Sequence, residues 1–66
     1  MELSRLKPGD KVRTVDGAVV EILKESEDGR WVAVRYVSGT EDPKLIGTED
    51  LCHEDELTET VEDAGR

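Results

Sequence analysis

The sequence predicts a small all-β domain: a five-stranded barrel with a short helical turn before its last strand and a flexible acidic C-terminal tail. Three observations predict it. Apolar and polar residues alternate with a period of two over residues 11–15, 18–25 and 30–37, which gives each segment one apolar face. Asp-Gly pairs at Asp16-Gly17 and Asp28-Gly29 separate these segments, and Asp-Gly readily adopts the positive φ angles of a tight hairpin. The segments are also rich in β-branched valine, isoleucine and threonine, with no clear helical period.

The chain of 66 residues makes one domain. A domain of that size buries only ~60% of the surface its unfolded chain exposes, so the core is thin. A single cysteine, Cys52, rules out an internal disulfide and fits a reducing compartment. The opening MELSRLKPGD lacks the apolar run of a signal peptide, and no stretch is long enough to cross a bilayer. A cytoplasmic protein with no membrane association is expected.

Pro8-Gly9-Asp10 forms the first turn, since proline presets φ and glycine follows without a Cβ. In the strand that follows, Val12 and Thr14 share one face, with Lys11, Arg13 and Val15 on the other. After Asp16-Gly17, Ala18, Val20 and Ile22 line one face of the second strand, and Val19, Glu21, Leu23 and Glu25 the other. Ser26-Glu27-Asp28-Gly29 turns the chain into the third strand, RWVAVRYV. Val32, Val34 and Tyr36 face inward there; Trp31, Ala33, Arg35 and Val37 face outward.

SGTEDPK, residues 38–44, has the composition of a loop. KLIGTEDL is expected to be a short strand bent near Gly47, followed by one helical turn over Glu49-Asp50-Leu51 capped by the Thr48 hydroxyl. CHEDEL supplies the last strand, ending near Leu57. The domain therefore spans residues 1–57, and residues 58–66 hold too little apolar surface to fold. The expected core is Leu6, Val12, Val20, Ile22, Val32, Val34, Tyr36, Leu45 and Leu51. Closure of the sheet into a barrel would remove its exposed edges.

These features resemble a small SH3-like barrel of the kind found in KOW, Tudor and related bacterial domains. The resemblance is carried by Gly9-Asp10-Lys11-Val12 at the start of the first strand, by Asp16-Gly17, by the hairpin Glu27-Asp28-Gly29-Arg30-Trp31, and by Gly47-Thr48-Glu49-Asp50-Leu51 before the last strand. It covers about residues 6–57 and singles out no one family. A non-enzymatic interaction module is the function expected of the chain. The chain departs from the KOW pattern in lacking the further glycines that pattern expects after Gly17 and in being acidic.

The net charge of -8 is unevenly placed. Residues 1–40 carry seven basic and seven acidic side chains, whereas residues 41–66 carry two basic and ten acidic ones. A neutral body with an acidic tail repels phosphate backbones and favours basic partners.

Chemistry finds little support. Cys52 and His53 are sequence neighbours on an extended segment and point to opposite faces, so they do not converge as a nucleophile and base. The chain has at most two soft metal ligands, no CxxC and no HExxH, and HEDELTETVED lacks the order of a calcium loop. Its glycines sit singly in turns, so no phosphate loop exists. No cofactor and no catalytic residue are expected.

Binding is the remaining class. Trp31, the only tryptophan, lies on the outward face with Val15, Val19, Leu23 and Val37, which makes that face unusually apolar. Trp31, Arg35, Val37, Arg13 and Leu23 form the expected contact surface for a protein or peptide partner, because tryptophan and arginine dominate binding hot spots. Two alternatives compete with it. Lys11, Arg13, Arg30 and Arg35 around Trp31 would serve a nucleic-acid site, against which the interspersed Glu21 and Glu25 and the net charge both count. Self-association would instead bury the apolar face and place a site on a symmetry axis.

Overall fold

The computed structural model describes residues 2–61. Within them the chain forms a five-stranded antiparallel sheet: β1 (Lys11–Thr14), β2 (Val19–Ile22), β3 (Trp31–Ser38), β4 (Glu49–His53) and β5 (Leu57–Thr60). Three short 3-10 turns connect or precede them: η1 (Leu3–Arg5), η2 (Pro43–Leu45) and η3 (Glu54–Glu56). The strand order is β4-β3-β2-β1-β5.

Local chemistry accounts for the turns. The Asp10 N–H donates to Lys7 O at 3.0 Å across Pro8-Gly9, with Gly9 at φ +96° in the third position, the arrangement of a type II turn. The β1–β2 connection closes on three residues, 15–17, between the bonded pair Thr14 and Ala18. Gly17 N–H donates to Thr14 O at 3.0 Å, and Thr14 N–H donates to Ala18 O at 2.7 Å. Thr14 is buried, and its hydroxyl oxygen accepts from Ala18 N–H at 3.1 Å, which satisfies it. Gly39 packs against this loop so closely that a Cβ at its α-carbon would lie 2.7 Å from Gly17 O.

One sheet face feeds one core. Val12, Val20, Ile22, Val32, Val34, Cys52 and Leu57 come from all five strands and form a single buried cluster with Leu3 and Leu6. Tyr36 packs against it, half-buried. A single sheet can bring both of its ends into one cluster only by curling strongly.

The core differs from the predicted one at its margins. Leu45 and Leu51 are 37% and 60% exposed, whereas Leu3, Cys52 and Leu57 are buried in their place. The cause is the path of the chain after β3. Residues 43–45 coil into η2, with Asp42 capping Lys44 N–H, instead of forming a bent strand near Gly47. Glu49-Asp50-Leu51 lie in β4 rather than in a helical turn, in register with Arg35, Val34 and Ala33. Alternation then sends Leu51 outward and Cys52 inward.

The helical turn before the last strand falls later, at η3, where His53 Nδ1 accepts from Asp55 N–H and the Glu56 carboxylate accepts from His53 N–H. CHEDEL is thus divided between β4 and η3, and β5 begins at Leu57. It runs to Thr60 beside β1, past the expected boundary, and Val61 N–H still donates to Lys11 O at 2.8 Å. The rest of the expected tail, residues 62–66, lies outside the described residues.

Strands β4 and β5 stand at opposite ends of the order and share no ladder, so the hydrogen-bonded sheet is not closed. The β4 edge is partly guarded by two carboxylates, one from β4 and one from η3. Tyr36 N–H donates to Thr48 O, which turns alternate β4 backbone groups toward β3 and leaves those of Glu49, Leu51 and His53 facing away. Two of these three outward N–H groups are taken by carboxylates, Leu51 by Asp50 Oδ1 at 2.8 Å and His53 by Glu56 Oε2 at 2.7 Å. No helix among the described residues is long and apolar enough to cross a membrane.

Candidate interaction surface

The outer face of the sheet divides into two zones. Register places Lys11, Glu21, Arg35 and Glu49 side by side across β1 to β4, a row of alternating sign. The Arg35 guanidinium donates to Glu49 Oε2 at 2.9 Å, and Arg13 lies 3.6 Å from Glu59 on the β5 side. These basic groups are neutralised by cross-strand neighbours.

The second zone is apolar and lies at the other end of β3. Leu23 N–H donates to Ala33 O at 2.9 Å, so Leu23 flanks Ala33 on one side while Leu51 pairs with it on the other. One step along, Trp31 pairs with His53, the two rings meeting edge to face with centroids 4.8 Å apart and planes at 75°. Trp31 is 47% exposed and Leu51 60%. Together with Ala33 they floor a shallow groove of about 300 Å³ whose rim carries Lys24, Glu25, Glu27 and Asp28.

The loop before β3 fixes Trp31 in place. Asp28 Oδ1 accepts from Arg30 N–H at 2.9 Å and Trp31 N–H at 3.1 Å. Ser26 Oγ accepts from Gly29 N–H at 2.9 Å and donates to Trp31 O at 2.7 Å. Donation from Arg30 and then Trp31 holds the Asp28 carboxyl below its ordinary pKa. The tryptophan is therefore presented by a hydrogen-bonded loop at the start of the longest strand.

Of the five expected contact residues, the fold brings Trp31 and Leu23 to this zone. Arg35 belongs to the adjoining charged row. Arg13 and Val37 lie toward the far end, Val37 half-buried and Arg13 beside Glu59. Leu51 and Ala33 were not among the expected contacts. The signal for Leu51 was its adjacency to Cys52: in a strand only one of two neighbours can face inward, and the smaller thiol took the interior.

A second concavity, of about 460 Å³, opens at the opposite end of the sheet. Tyr36, Ala18, Leu45 and Cys52 line it, and Asp16, Glu41, Asp42 and Glu56 supply its charge. Cys52 is only 4% exposed, and desolvation, reinforced by the charges of Glu56 and Asp50, pushes its thiol from 9.0 up to about 11. Desolvation likewise raises the Tyr36 phenol. Cys52 points into the core and His53 toward Trp31. Among the described residues, no three His, Cys, Asp or Glu side chains converge in a way that could hold a metal ion.

Compared with known proteins, the chain matches no family model, no curated protein and no solved structure.

Proposed function

We propose that this chain is a small SH3-like barrel that acts as a non-enzymatic interaction module, binding a protein or peptide partner through Trp31, Leu51, Ala33 and Leu23. Barrel-like curvature is supported by the single interior cluster that draws on all five strands and by the short 3-10 turn between β4 and β5. The contact zone rests on one observation above all. Trp31 and Leu51, two large apolar side chains, stand exposed and adjacent on the face of a hydrogen-bonded sheet. Tryptophan held this way offers a large contact area at little entropic cost, and such rings anchor protein partners.

The charged row next to it suits a rim, where ion pairs set orientation and contribute little energy. Because each of Lys11, Arg13 and Arg35 has an acidic neighbour across the strands, a phosphate backbone gains less from this face than a polypeptide does.

The test is capture by photo-crosslinking from a native extract, with the wild-type chain, Trp31→Ala, Leu51→Ala and Arg13→Ala as parallel baits. The expected result is a set of proteins captured by wild type and Arg13→Ala and lost with both zone variants, while all four baits remain folded. Identical capture by wild type and Trp31→Ala would overturn the proposal.

A further inference from the structure

We infer that the groove beside Trp31 takes a basic polypeptide segment: one apolar side chain seated on Trp31, Ala33 and Leu51, flanked by lysine or arginine residues that face Glu25, Glu27 and Asp28. This rests on the interaction-surface reading above and adds the chemistry of the occupant.

The groove's size sets the first term. About 300 Å³ lies at the bottom of the ~300–1,000 Å³ range of small-molecule sites. Being shallow and floored by an indole, a leucine and an alanine, it accommodates one aliphatic or aromatic side chain laid against the Trp31 ring, not an enclosed cofactor.

The rim sets the second. Three carboxylates surround the groove against one ammonium, Lys24. On the adjoining charged row and the β5 side, two carboxylates have basic partners: Glu49 with Arg35 and Glu59 with Arg13. Among the described residues, Glu25, Glu27 and Asp28 make no ion pair with a basic side chain. Asp28 uses its Oδ1 on the loop backbone and stays ionised, so it serves as a fixed negative charge beside the indole. An apolar floor with a net acidic rim is complementary to a cationic, amphipathic chain. The net charge of -8 adds long-range attraction for the same partner.

Trp31, the only tryptophan, reports directly on occupancy. The full chain is titrated with three synthetic peptides: one leucine between lysines, the same peptide with alanine in place of leucine, and the leucine peptide with glutamates for lysines. Trp31 emission and the backbone amide shifts of Trp31, Ala33 and Leu51 are followed. The lysine-leucine peptide is expected to move all of these. Removing its leucine should weaken binding roughly tenfold, the loss typical of one buried aliphatic side chain. Glu25→Gln with Glu27→Gln should weaken it roughly two- to fivefold at low salt, and much less at ~1 M salt, where the screening length falls to ~3 Å.

Equal binding of the glutamate peptide would overturn the inference about the occupant's charge. Binding that persists without the leucine, or undiminished with Trp31→Ala, would show general attraction to an acidic protein and overturn it too, as would a failure of every peptide to move the three amides. None of these bears on the broader interaction reading, which stands or falls on Trp31-dependent capture.

Discussion

The indole of Trp31 and the imidazole of His53 meet edge to face across β3 and β4, 4.8 Å apart at 75°. His53 has two tasks there: its ring props Trp31, and its Nδ1 accepts from Asp55 N–H to start η3. The two separate by substitution. His53→Asn keeps a strong capping residue and removes the ring, whereas His53→Ala removes both. His53→Asn is expected to cost under about 1 kcal/mol and to open Trp31 to acrylamide quenching. His53→Ala should lose roughly a further 1 kcal/mol in thermal unfolding.

Leu3 and Leu51 invert what an apolar side chain is expected to do from its place in the sequence. Leu3, before the first strand, is fully buried, and Leu51, inside a strand, is 60% exposed. Leu3→Ala should cost about 2–4 kcal/mol. That is a large part of the ~3–10 kcal/mol available to a domain this small. Leu51→Ala should stay within about 0.5 kcal/mol. Chemical denaturation of the two variants beside wild type checks the contrast.

The pairing of β1 with β2 and of β2 with β3 was legible in the sequence, because period-two alternation and Asp-Gly turns are local signals, and β1, β2 and β3 fall where those signals place them. The chain after Ser38 was not. A 3-10 turn at Pro43–Leu45 and a strand through Glu49–His53 are decided by tertiary pairing with β3, which overrides the weak local preference of GTEDL for a capped turn. The same cause hid half of the candidate surface: Trp31 was visible as an outward ring, but Leu51 was assigned to the core until the β3–β4 register set it beside Ala33. Arg35 and Arg13 were legible as outward residues, while their carboxylate neighbours on β4 and β5 were not.

Burial of Cys52 makes stability depend on alkaline pH. The thiol ionises near 9.0 in the unfolded chain and at about 11 in the folded one. Between those values the unfolded state holds fewer protons, so stability falls as pH rises. It is unaffected below pH 9 by this group. The full loss is on the order of 3 kcal/mol at ~1.4 kcal/mol per unit, and the raised Tyr36 phenol acts in the same direction. Denaturation midpoints should decline across this window in wild type and decline less in Cys52→Ala.

Asp50 and Glu56 occupy two of the three outward N–H groups of β4, those of Leu51 and His53, which makes β4 a poorer template for another strand. Asp50→Ala with Glu56→Ala should free both donors and raise self-association relative to wild type in sedimentation at high concentration. Equal sedimentation of the two proteins would show that the carboxylates do not guard the edge.

The central claim is that Trp31 belongs to a surface and not to the core, so that contact and folding can be separated. The two-dimensional amide spectrum of Trp31→Ala tests it most directly. The account predicts a well-dispersed spectrum with shifts confined to residues around the groove, the 24–28 loop, Ala33, and Leu51 to His53. A collapsed spectrum, with the Val12, Val20 and Val34 amides no longer dispersed, would contradict it and make the ring structural.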